Sequence, residues 1–424
     1  MLLRAVTITD PASPYHNQTL DVRVRDGVIT ALGDALVAEE QEQIFAAEDR
    51  VRLAPGFVDI GAYLGDPGHE EREDIASLTA SARAGGYVAV AVLPNTVPVR
   101  QSVADMTYLA SHNGQSAVDL LPIAALSHNT LGRDLTEMME LGEAGALAFT
   151  DGSSHAASGS LLKRALEYGK SFGGLVLDTP HDRDLAEDGQ MHEGTVSVQL
   201  GLPGIPTMCE TIPLRRDLSI LRYTDGRLLV HLLSSAKGLA LVTDYREQSA
   251  GLAGCTVSAH HLTFTDDELL TFDPNFKMLP PLRAASDREA LQQGLIEGQI
   301  DAIVSHHRAR HGEEKDLEFS YAAFGALGLE TALRQLLPLA DDRPSMLDAI
   351  VTALTAGPRR LLGLPPVTIT EDSPAQLTLF TTEGSQQVDR GSLKGKSTNS
   401  PLLGRTLPGR ILATINHGRL WTSA

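Results

Sequence analysis

The sequence predicts a parallel (β/α)8 TIM barrel carrying a small β-sandwich built from both ends of the chain. Three observations predict it. Between Pro55 and Leu364, eight short and almost continuously apolar runs alternate with amphipathic stretches, as expected of strands covered by helices on an enclosed parallel sheet. Both ends of the chain show period-2 alternation broken by turn residues instead, the mark of antiparallel strands. The length of 424 residues accommodates one barrel of roughly 250 residues or more together with a second unit. The expected organisation is therefore sandwich at 1–54, barrel at 55–364 and sandwich again at 365–424.

The elements follow in order. LLRAVTIT, TLDVRVRDGVITALG and QIFAAEDRVRLAP alternate as short strands, with Asp26-Gly27 as a hairpin turn. The barrel strands are expected at 56–60, 87–93, 118–126, 145–149, 174–178, 227–233, 255–262 and 301–305. Helices are expected over 74–86, 160–173 and 286–298, whereas 193–218 is rich in Pro and Gly and shows no clear helix. DPGHEERED (66–74) reads as an acidic surface loop starting a helix, and GSSHAASG (152–159) as a flexible segment. At the C-terminal end, AQLTLFTT and GRILATINHGRLW are strands separated by a loop around 391–398, with Asn416-His417-Gly418 as a turn. A doubly wound open sheet is the structural alternative. No GxGxxG or GxxxxGK[ST] follows a strand, so dinucleotide and P-loop readings have no support.

Composition narrows the function. The apolar fraction is 42% and the charged fraction 21%, which is globular. Cys209 and Cys255 are too few for a disulfide framework or a Cys-rich zinc site, while 14 histidines make a His/carboxylate site worth seeking. The net charge of −19 disfavours nucleic acid and anionic membranes. Neither a signal peptide nor an 18-residue apolar run is present, so a cytoplasmic location is expected.

Chemistry in such a barrel belongs at the C-terminal strand ends. There the sequence places Gly61 and Tyr63, Asn95, His128 and Asn129, Asp151, Thr179 and His181, His231, His260 and His261, and Ser305, His306 and His307. Adjacent residues on a strand end face opposite ways, so at most one of each His pair enters the barrel. His231, inside LLVHLL, also reads as a satisfied core histidine, and Asp151, before Gly152 and Ser153, as an Asx turn. The run 306–311, with Arg308 and Arg310, reads as a solvated loop or an anion or partner contact.

Six stretches carry a resemblance: PGFVDIGAYLGDPGHEEREDI (55–75), GGYVAVAVLPNTVPV (85–99), GALAFTDG (145–152), VSAHHLTFTDDEL (257–269), NFKMLPPLRAASDREAL (275–291) and KSTNSPLLGRTLPGRILATINHGRL (396–420). The chain resembles dihydroorotase of the amidohydrolase superfamily along its whole length. The resemblance implies a zinc centre that activates water and polarises a carbonyl, with an Asp at the end of the eighth strand moving protons. It also implies where this sequence departs from that pattern. The His-x-His positions after the first strand are Gly61 and Tyr63, a substrate-carboxylate Arg is Gly65, and the second Asp after the fourth strand is Gly152. The ligand His after the fifth strand is Thr179, a substrate Asn is Leu279, and the proton-moving Asp is His306. Asp151 and His231 remain of the metal positions, and Asn95 of the substrate set.

The expectation is thus a form lacking most metal ligands, a pseudoenzyme with no cofactor. As dihydroorotase-like subunits without those ligands do, it would serve as a structural or regulatory partner of aspartate transcarbamoylase in pyrimidine biosynthesis, as a homodimer or hetero-oligomer. The alternative is an active dihydroorotase, hydrolysing dihydroorotate to carbamoyl aspartate, with zinc on a rearranged set of Asp151, His181, His231 and His306. A third reading is small-molecule sensing at the mouth through Asn95, His260 and Arg310.

Overall fold

A computed structural model describes residues 1–47, 49–152, 158–249, 253–341 and 343–422. All eight expected barrel strands form, at Phe57–Ala62, Tyr87–Val92, Asp119–Ala125, Ala148–Thr150, Val176–Asp178, Leu228–Leu233, Gly254–Ser258 and Ala302–Val304. Each pairs in parallel with its neighbour in sequence order. The ring is joined between the last and first strands by a carboxylate. Asp59, fully buried in the first strand, accepts from Ser305 N at 2.7 Å and Ser305 Oγ at 2.6 Å.

The apolar runs fill two layers. Val58, Ile60, Ala91, Ile123, Leu177 and Val304 pack inside the ring, and the alternate residues Phe57, Val90, Leu120 and Val257 pack outward under the helices. Local chemistry starts those helices. The Asp74 side chain accepts from Ser77 N while Ser77 Oγ meets Asp74 N, opening the helix Ile75–Ala84. Ser158 and Ser235 cap Gly159–Lys170 and Ala236–Gln248 in the simpler way.

Strands from both termini form one continuous, mostly antiparallel sheet around its own core of Leu3, Val22, Leu53, Leu377, Leu379 and Ile415. Arg52–Pro55 joins the halves, lying parallel to Leu2–Ile8 and antiparallel to the first residues of Leu377–Gln387.

Two expectations need correction. The seventh strand stops at Ser258, and His260 and His261 lie on a helical turn, Ala259–Thr263, capped by the Ser258 side chain. The alternating-face argument therefore does not apply to them. The segment 193–218 holds two helices, Thr195–Leu200 and most of Met208–Thr224. Pro213 is tolerated because the carbonyl its missing N–H would have met, on Cys209, accepts Asp182 N at 2.8 Å instead. Of the segment 152–159, residues 153–157 lie outside the described residues. No described helix is long and apolar enough to cross a membrane.

Candidate functional site at the barrel mouth

The mouth is filled by its own side chains. Gly61 has φ +89°, and a Cβ there would lie 2.6 Å from Nε2 of His231. The imidazole thus occupies the space a first-strand side chain would take. Thr256 Oγ1 accepts from Leu232 N at 2.9 Å and lies 3.1 Å from His231 Nδ1. The arrangement that uses every atom has the hydroxyl donating to Nδ1, which puts the ring proton on Nε2. Burial pushes His231 down to about 3, so the ring is neutral near pH 7.

Gly152 repeats the pattern. A Cβ there would fall 1.7 Å from Oδ1 of Asn95. The Asn95 amide donates to the Asp151 carbonyl at 3.2 Å, while its buried Oδ1 has no described partner. The Asp151 carboxylate accepts from Ser127 N at 2.8 Å and Ser127 Oγ at 2.5 Å. Burial raises its pKa against those hydrogen bonds. Two glycines and two neighbours thus close the mouth from inside.

Among the described residues, one cavity of about 20 Å³ is lined here by Tyr63, Thr179, His181, His231, Leu279 and His306, among others. A water molecule needs roughly 10–15 Å³ of such space, so this is room for one. His306 has φ +55° and donates from Nε2 to the Leu279 carbonyl at 3.1 Å. Its Nδ1 therefore bears the lone pair, buried and without a described partner. Burial, then the imidazoles of His261, His260 and His231, hold its pKa well below the usual histidine range.

The expected residues are therefore only partly brought together. Tyr63, Thr179, His181, His231 and His306 share the cavity, and Asn95 and Asp151 lie against its Gly152 wall. His260 points elsewhere, stacked on Phe264 and 3.4 Å from the Gln335 amide, with burial lowering it to about 3. Arg310 is engaged by Glu314 and the Phe324 carbonyl. The thiols of Cys209 and Cys255 are buried and pushed up to about 11 and about 12, first by burial, so neither is a ready nucleophile. The sequence reading missed the supporting residues Ser127, Thr256 and Asp59. Of these only Asp59 left a signal, as a lone carboxylate inside the apolar run GFVDI.

Comparison with known proteins gives the family. Residues 50–236 match the family model described as Dihydro-orotase-like. A protein named dihydroorotase from Syntrophobacter fumaroxidans is 36% identical over 423 residues, covering 99% of this chain and 96% of that one. Another of that name, from Syntrophus aciditrophicus, is 33% identical over 421 residues, covering 99% and 98%. Among solved structures, L-hydantoinase (dihydropyrimidinase) from Arthrobacter aurescens superimposes with a TM-score of 0.85 at 21% identity, over 99% of this chain and 95% of that one. Dihydropyrimidinase from Brevibacillus agri NCHU1002 gives 0.82 at 18% identity.

These relatives overturn the expectation of no cofactor, since dihydroorotases and hydantoinases are zinc-dependent amidohydrolases. The described residues do not themselves fit such a centre. No three His, Cys, Asp or Glu side chains among them are placed to hold a metal ion. Two positions where the family pattern has ligands or acids, Gly61 and Gly152, are covered by His231 and Asn95. Both Asp151 oxygens already accept from Ser127. Of the rearranged set, His181, His231 and His306 line the cavity and Asp151 does not.

Proposed function

This chain belongs to the dihydroorotase family, and from that premise we propose that it is a protein of pyrimidine biosynthesis whose barrel is kept as a scaffold, acting as a structural or regulatory partner of aspartate transcarbamoylase. One observation carries the reading: His231 and Asn95 fill the spaces over Gly61 and Gly152. Ring opening of a cyclic amide needs an activated water, a polarised carbonyl and a group that moves a proton. Here the cavity has the volume of one water, and the free basic atom is Nδ1 of His306, whose affinity for protons burial has lowered.

A second reading is supported by the relatives' names. Identity of 33–36% across 97–99% of the chain to proteins called dihydroorotase favours an active cyclic amidohydrolase. It would convert dihydroorotate to carbamoyl aspartate with zinc bound at a rearranged mouth.

One preparation distinguishes the two. Protein purified from zinc-supplemented cells is assayed for metal content, for dihydroorotate turnover in both directions, and for co-elution with aspartate transcarbamoylase. Association that changes that enzyme's assembly or activity, with turnover absent, supports the scaffold reading. Stoichiometric zinc with turnover that His231→Ala abolishes overturns it in favour of the second.

A further inference from the structure

Three arginines stand on the loops around the barrel mouth, although the chain carries a net charge of −19. Arg308 and Arg310 come from the loop after the eighth strand, and Arg72 from the loop after the first. Two of the three are neutralised. Arg310 Nη1 lies 2.9 Å from Glu314 Oε1, and Arg72 Nε lies 2.8 Å from Glu314 Oε2 and 3.6 Å from Glu71 Oε1.

Arg308 is different. Among the described residues its guanidinium has no carboxylate within ion-pair distance and makes no side-chain hydrogen bond. It lies instead over the ring of Tyr63, with Cζ 4.3 Å from the centroid. Its aliphatic stem packs on Gly325, where a Cβ would come within 3.2 Å of both Cγ and Cδ. The backbone is held as firmly. Arg308 N donates to the Ala326 carbonyl at 2.8 Å. The Arg308 carbonyl accepts from Asn399 Nδ2 at 3.0 Å, and Asn399 Oδ1 accepts from Arg310 N at 3.0 Å. Arg310 registers the resulting potential: it is lowered to about 10, first by burial and next by Arg308.

Stacking uses the face of a guanidinium and leaves its in-plane N–H groups directed outward. A fork held in this way has lost most of its freedom before any ligand arrives, so little further ordering opposes binding. We propose that Arg308 anchors an oxyanion subsite on the rim of the barrel mouth, taking a small ligand through a carboxylate or phosphate group. The subsite stands outside the one-water cavity, so it does not depend on whether the mouth performs hydrolysis.

The test is calorimetric titration of the full chain at low ionic strength with inorganic phosphate and, separately, with succinate. At least one anion is expected to bind saturably, and the tighter of the two identifies the phosphate or carboxylate source. R308Q is expected to lose roughly 10-fold or more in affinity, the scale of a charge-assisted bidentate contact, while R308K keeps a weaker, monodentate interaction. E314Q frees Arg72 and Arg310 and is expected to tighten binding, a reading that stands even where R308Q fails to fold. Absence of saturable binding for both anions overturns the proposal. So does R308Q binding as tightly as the unaltered protein, or E314Q weakening binding.

Discussion

The Gly61–His231 contact gives a prediction that can be worked through in numbers. Gly61→Ala places a Cβ 2.6 Å from Nε2 and 2.7 Å from Cε1 of an imidazole that is 2% exposed. An L residue at φ +89° is strained by ~1–2 kcal/mol. The ring must also leave its place, giving up the Thr256 hydrogen bond, about 1 kcal/mol, and repacking a closed core at ~1–3 kcal/mol. The expected loss is about 3–6 kcal/mol of folding stability. His231→Ala removes the obstacle, so in that background Gly61→Ala costs only the strain, ~1–2 kcal/mol. The two substitutions are thus coupled by about 2–4 kcal/mol. Urea unfolding of the four proteins, followed by far-ultraviolet circular dichroism, measures this directly. Strict additivity, or a Gly61→Ala protein as stable as the parent, would refute the filled-mouth argument. By the same reasoning, Gly61→His alone does not rebuild a ligand position, because His231 already stands in it.

Three further outcomes follow from the same contacts. Asp151→Ala leaves the N–H and hydroxyl of Ser127 without their acceptor and is expected to cost roughly 2–4 kcal/mol, seen as a lower thermal midpoint whether or not zinc is supplied; an unchanged midpoint contradicts a structural role. Burial holds His231 and His260 at about 3, and His261 and His192 at about 4. The folded chain keeps them neutral while the unfolded chain protonates them below about 6.5, so stability is full above that pH and falls steadily towards pH 4. Asp59 and Asp151, raised by burial, act in the opposite sense, lowering stability as the pH rises above the ordinary carboxylate value of about 3.8. Urea midpoints that stay flat between about pH 7 and about pH 5 would contradict this sign. Lys315→Met removes the donor shared by the carbonyls of Pro274, Ala323 and Gly325, at roughly 1–3 kcal/mol. Limited proteolysis is expected to cut the 312–326 segment faster in that variant, and an unchanged cleavage rate would count against the role.

Much of the fold was legible because barrel strands advertise themselves locally. YVAVAV is buried at every residue, as are FVDIGA and LLVHLL, each interrupted by a single polar side chain. The helix over 208–224 was hidden because its tolerance of Pro213 depends on a donor from Asp182, a tertiary fact. The mouth was half legible. That Gly61 and Tyr63 stand at ligand positions could be read along the chain. That a histidine 170 positions later lies over the first of them could not, since nothing local encodes which side chain enters a gap. Arg308 and Arg310 make the point more sharply. Glu314 sits four residues after Arg310, a readable pairing, yet Arg308 is set apart only by Tyr63 and Gly325, which reach it from distant loops.

The strand Arg52–Pro55 has a consequence for how the chain is made. Its antiparallel neighbour is Leu377–Phe380, so during synthesis the first strands leave the ribosome long before the partner that completes their sheet exists. The whole barrel emerges in between. Until the last strands arrive, the edge at Arg52–Pro55 is unpaired, immediately ahead of the first barrel strand at Phe57. Pairings that distant in sequence form slowly, and open strand edges invite association with other nascent chains. Closure of this sheet is the late step of assembly, and a messenger truncated before codon 377 leaves the opening strands permanently without their neighbour.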